Sequence, residues 1–123
     1  MIFIRLRFRE GTYGLAESHD KKLNKLAFFF TDDVRSHVAS FKSWLLNPLL
    51  DYTASNYSFL EKEGDTVIIG DQYAVGDPYE YCLELPISDL IQLLDQWDTL
   101  YKRKPKEIII KCENGKIVLE GID

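Results

Sequence analysis

Hydrophobic and polar positions alternate from the first residues of the chain. Ile2, Ile4, Leu6 and Phe8 fall on one face and Phe3, Arg5, Arg7 and Arg9 on the other, which predicts a half-buried strand with a basic outer face. Gly11 and Gly14 end that pattern, and the polar stretch through Lys22 reads as a loop. The run Leu26 to Phe30 is apolar but short, so a strand and a buried lead-in to a helix both remain open. Thr31 followed by Asp32 and Asp33 has the chemistry of a helix start, a capping hydroxyl and then two acids near the positive end of the dipole. Val34, Val38, Phe41 and Leu45 then share one helical face, and Asn47-Pro48 should end the helix.

Beyond Asn56 the period shortens to two. Tyr57 to Leu60 and Thr66 to Ile69 flank Glu63-Gly64-Asp65 as a hairpin, and Tyr79 to Leu85 reads as a further strand closed by Pro86. Ser88-Asp89 opens a second helix. Its stripe is Leu90, Leu93, Leu94, Trp97, Leu100 and Tyr101, with Lys102, Arg103 and Lys104 at the negative end and Pro105 as the stop. Glu107 to Lys111 and Lys116 to Leu119 flank Asn114-Gly115, the favoured pair for a type I′ hairpin turn. The expectation is one α+β domain over residues 1–123, a mainly antiparallel sheet of about five or six strands with two helices packed on it, in the order β-α-β-β-β-α-β-β.

Composition narrows the function classes. Of 123 residues 46% are hydrophobic, and seven Phe, seven Tyr and two Trp suffice for a core without disulfide or metal staples. A formal net charge of −5 counts against overall affinity for nucleic acid or an anionic membrane, and no uncharged stretch is long enough to span a bilayer. The N-terminus enters its strand pattern without the basic and apolar regions of a secretory signal, so a cytoplasmic location is expected.

No catalytic constellation stands out. His19, His37, Cys82 and Cys112 lack the close ligand spacing of structural zinc, and the two cysteines read as small core residues. There is no nucleophile elbow, no phosphate-cradling glycine loop and no cofactor motif, and a Cys82–His37 pair is not something spacing can establish. Asp71, Asp77 and Glu80 bracket a glycine-containing loop without the alternate ligand spacing of an EF-hand, and turn chemistry accounts for the aspartates.

Charge is distributed unevenly. From Glu61 to Asp98 there are ten acids (Glu61, Glu63, Asp65, Asp71, Asp77, Glu80, Glu84, Asp89, Asp95 and Asp98) against the single base Lys62, a local charge of −9, while the remainder carries +4. Tyr73, Tyr79 and Tyr81 are interleaved with these acids. Tyrosines rimmed by carboxylates suit an interface for a basic protein, and Asp71, Tyr73, Asp77, Tyr79, Glu80 and Glu84 are the candidate partner-binding residues. The plainer alternative is a solvated acidic face. Arg5, Arg7 and Arg9 beside Phe3 hint at a nucleic-acid surface, but the cluster Lys102 to Lys106 is accounted for by the helix dipole.

The segment Tyr81 to Gly121 carries a resemblance. Leu83-x-Leu85-Pro86-x-x-x-Leu90-Ile91-x-Leu93-Leu94-x-x-Trp97, then Lys104-Pro105-x-Glu107-Ile108-Ile109-Ile110 and the Asn-Gly hairpin, is similar to small immunity proteins of bacterial polymorphic-toxin and contact-dependent growth inhibition systems. The resemblance covers about a third of the chain and implies a non-enzymatic cytoplasmic protein. Such a protein would bind a cognate toxin domain, often a basic nuclease, and cover its active site. It carries no functional residues over, so the interface rests on the charge argument. A small adaptor or regulatory protein with another protein partner is the alternative.

Overall fold

The computed structural model describes residues 2–123. Strand β1 (Ile2–Arg9) turns through Glu10 and Gly11, at φ 53° and 85°, into β2 (Thr12–Ser18). Two successive positive φ values match a type I′ hairpin. The stretch expected to be a loop is therefore mostly strand. β2 shows no apolar alternation because only Tyr13 on it is buried. Asp20 then caps helix α1 (Lys21–Phe28), accepting from the Leu23 N–H at 2.8 Å.

The helix start expected at Thr31 is also corrected. α1 continues into a π-helical segment, Phe29–Val34, and α2 (Val38–Leu46) begins only after Arg35 takes φ 47°. Thr31, Asp32 and Asp33 lie within the π-helical segment. Asp33 is buried and accepts from the Tyr57 N–H at 2.9 Å and the Ser58 N–H at 3.2 Å. Its carboxylate thus fastens the entry of a distant strand instead of capping a helix. The Val34, Val38 and Leu45 face is buried as expected.

Strands β3 (Tyr52–Ala54), β4 (Ser58–Glu63), β5 (Thr66–Asp71) and β6 (Leu83–Pro86) follow, then helix α3 (Ile87–Arg103) and the hairpin β7 (Glu107–Glu113) and β8 (Lys116–Ile122). The strand expected from Tyr79 is shortened, because turns occupy its first half. Asp77 Oδ1 accepts from the Tyr79 N–H at 2.9 Å, and Tyr81 takes φ 61°. At the other end of α3, Lys104 takes the left-handed conformation at φ 57° and Pro105 follows.

The fold is α+β with antiparallel pairing, as expected, but the single sheet with two helices is corrected: among the described residues there are two antiparallel four-stranded sheets, β2-β1-β7-β8 and β3-β4-β5-β6, and three helices besides the π-helical segment. The reason is a pairing that local pattern cannot specify: β1 pairs with β7, Leu6 opposite Ile108, and leaves β4 and β5 to build a sheet of their own. Helix α1 packs on β1 and β2 of the first sheet and on β5 and β6 of the second; α3 packs on β8 and on β5 and β6. One core joins Ile4, Leu6, Ile108 and Ile110 to Leu60, Val67, Ile69 and Leu85 through Phe30, Leu94 and Trp97. Each sheet therefore keeps one face for the core and presents the other outward.

Candidate functional site: the outer face of the second sheet

Register decides which side chains share the outer face. Tyr52 on β3 lies opposite Glu61 on β4, Glu61 opposite Ile68 on β5, and Ile68 opposite Glu84 on β6. One row thus reads Tyr, Glu, Ile, Glu across four strands. The next row is Ala54, Phe59 and Gly70, with Cys82 beside it. Phe59, Ile68 and Cys82 form a small buried cluster apart from the main core. Tyr52 stacks on Phe59 at 6.1 Å between centroids, and Tyr79 meets the same ring edge-on at 5.8 Å. A hollow of about 360 Å³ beside them is lined by Lys22, Ile68, Tyr79, Tyr81, Cys82, Leu83 and Glu84.

Gly70 is what lets Phe59 and Cys82 close over β5. A Cβ there would lie 2.4 Å from the Phe59 ring and 2.7 Å from Cys82 Sγ. We expect Gly70→Ala to destabilise the protein by about 1–3 kcal/mol through overpacking, read as a lower denaturation midpoint. An unchanged midpoint would contradict this packing. The Cys82 thiol, pushed up by burial, donates to Pro78 O at 3.1 Å and acts as part of this layer.

The loop from β5 to β6 is ordered by its own aspartates. Asp71 Oδ1 accepts from the Tyr73 N–H at 2.8 Å, and Asp77 does the same for Tyr79. The amide of Gln72 donates to Ser55 O, and its backbone N–H to Tyr57 O at 3.1 Å. These two aspartates, expected as partner contacts, therefore also hold the loop in shape. Tyr73 and Glu80 are exposed on it, while Tyr79 and Glu84 reach the sheet face itself. Burial, then the neighbouring Asp71 carboxylate, pushes the Tyr57 hydroxyl up from 10.0 to about 12. A raised value means stability that is complete below pH 10 and is lost as pH rises through about 12. Melting temperature should fall over that window, and Tyr57→Phe should make the fall shallower; identical alkaline profiles would contradict it.

Electrostatics separates the two outer faces. On the first sheet Arg5 and Arg7 both bond Glu107, at 2.7 and 3.2 Å, and Lys111 pairs with Glu120. Partial burial alone would raise the Glu107 carboxyl, but the two arginines hold it below the usual carboxylate value. The basic face read from β1 is thus partly compensated: Arg5 and Arg7 share one carboxylate, and among the described residues Arg9 joins no ion pair. On the second sheet the opposite holds. Lys62, the one base of the acidic segment, gives its ammonium to Trp44 O at 2.8 Å and Asn47 O at 2.7 Å, at the end of α2. Among the described residues, the ion pairs leave out Glu61, Glu63, Glu80 and Glu84.

The metal candidates are scattered. His19 stacks on Phe3 at 4.2 Å and contacts Glu17, and His37 is exposed before α2. Among the described residues no group of three His, Cys, Asp or Glu side chains is placed to hold a metal ion. None of their helices is long and apolar enough to cross a membrane. Sequence reasoning missed Tyr52, Phe59 and Glu61 as members of the site. The available signal was the alternation of Phe59, Glu61 and Glu63 against Leu60 and Lys62. Comparison with known proteins finds no family model, no curated protein and no solved structure that matches the chain.

Proposed function

We propose that the outer face of the second sheet is a docking surface for a basic protein, and that the chain is an immunity protein that neutralises a toxin domain by covering its active site. The observation that carries this reading is the charge imbalance between the faces. Glu61 and Glu84 stand without a basic partner on a rigid sheet, interleaved with Tyr52 and Tyr79, while two of the three arginines on β1, Arg5 and Arg7, are bound by Glu107. Unpaired carboxylates steer a basic partner and substitute for phosphates in a nuclease cleft, and exposed tyrosines supply contact area at little entropic cost. The resemblance of residues 81–121 to immunity proteins supplies the biological class.

The test is co-expression with the product of the gene directly upstream, where this reading expects the toxin to be encoded. The expected result is restored growth of the producing cells and a stable complex on gel filtration. Toxicity that persists, with the two proteins eluting separately, would overturn the reading.

A further inference from the structure

Within the outer face, two exposed rings bracket one carboxylate. Tyr52 lies opposite Glu61 in register, and its ring stacks on Phe59 with 17° between the planes. From the other side Tyr79 stands at 82° to Phe59, and its hydroxyl donates to Glu61 Oε1 at 3.3 Å. Phe59 is only 4% exposed, whereas Tyr52 and Tyr79 are 58% and 52% exposed. Both tyrosines therefore rest on a covered support with their rings open to solvent. The carboxylate between them receives only a neutral donor.

We infer that Tyr52, Glu61 and Tyr79 form a receptor for one arginine side chain of the partner protein. A guanidinium is flat and weakly hydrated. It can lie against a tyrosine ring while its fork of N–H donors meets the carboxylate. A lysine ammonium satisfies the charge but has no planar face for the rings, so arginine is the matching residue. Such a pairing sets the docking register of the whole face, because Glu61 is held from one side by Tyr79 and lies in a fixed row with Ile68 and Glu84. The inference rests on the reading of this face as the interface.

The experiment is a titration of the isotope-labelled chain with N-acetyl-arginine amide, followed by nuclear magnetic resonance, with N-acetyl-lysine amide as the comparison. Saturable shifts are expected around residues 52, 61 and 79, with a Kd on the order of 1–10 mM for arginine and clearly weaker binding of lysine. Glu61→Gln should weaken arginine binding by about tenfold, and Tyr79→Phe, which keeps the ring, should retain it. No saturable shift, a response centred elsewhere, or equal affinity for the two amides would overturn the inference, and needs no variant to be seen. A second arm separates this failure from failure of the interface itself. If reversing both Glu61 and Glu84 weakens toxin binding while the arginine amide is silent, the interface stands and the arginine receptor falls. If the double reversal binds the toxin domain as wild type does, the interface falls and the receptor with it.

Discussion

Trp97→Ala is expected to cost roughly 3–5 kcal/mol, the largest effect of any single substitution considered, and to lower the melting temperature by roughly 10–20 °C. Trp97 is fully buried at the centre of the helical layer. Its ring stacks on Phe30 at 4.8 Å with 10° between the planes, and it meets Tyr13 edge-on at 6.0 Å. Its Nε1–H donates to Arg35 O at 2.8 Å, the carbonyl of the residue whose positive φ separates the π-helical segment from α2. Alanine would leave a cavity between the two sheets and release that carbonyl. Trp97→Phe should cost less, mainly the lost hydrogen bond at about 1–3 kcal/mol. Thermal unfolding of the two variants checks this order. A Trp97→Ala protein that melts within a degree or two of wild type would mean the indole does not join the layers.

The second large effect is on binding. Reversal of Glu61 and Glu84 together to lysine should weaken the complex with the proposed toxin partner by about 100-fold, since like charges set against a basic partner cost several kcal/mol. The two residues sit in one row, with only Ile68 between them, so both charges act on the same area. Both lie on the solvent side and neither takes part in an ion pair among the described residues, so the melting temperature should stay close to wild type. Raising salt from about 50 to 500 mM should weaken the wild-type complex and change the double variant less, as the screening length falls. Binding titrations at both salt concentrations give the answer. Equal affinity of the two proteins at low salt would mean that the carboxylates only keep the surface wet.

Much of the local structure is legible in the residues. The alternation of Ile4 and Leu6 against Arg5 and Arg7, the stripe from Leu90 to Leu100, and Asn114-Gly115 with φ 54° and 77° each reflect a single physical preference expressed within a few positions. What stayed hidden has identifiable causes. β2 is exposed almost throughout, so it offers no period, and its turn places Glu10 where asparagine or glycine is the usual signal. The π-helical segment imitates a helix start because Asp33 has the right chemistry for a cap but is used across the fold on Tyr57 and Ser58. The division into two sheets depends on β1 reaching β7, a pairing between residues about a hundred positions apart that no local pattern encodes.

The site divides along the same line. Asp71, Asp77 and Glu80 were visible as an acidic loop, and the aspartates were also recognisable as turn formers, which is the role their carboxylates take. Glu61 and Tyr52 were not visible as a pair. They belong to different strands, and only the register of β3 on β4 sets them side by side. The compensation of Arg5 and Arg7 was hidden for the same reason, since Glu107 meets them only through the β1–β7 pairing.

Carboxylate footprinting tests the central claim most directly. The free chain and its complex with the proposed toxin partner are each treated with a water-soluble carbodiimide and glycine ethyl ester, and labelling is read residue by residue by mass spectrometry. Glu61, Glu63 and Glu84 should lose most of their labelling in the complex, while Glu17, Glu113 and Glu120 on the first sheet label as in the free chain. Protection of Glu17 and Glu120 with Glu61 and Glu84 still fully labelled would place the interface on the opposite sheet and contradict the account.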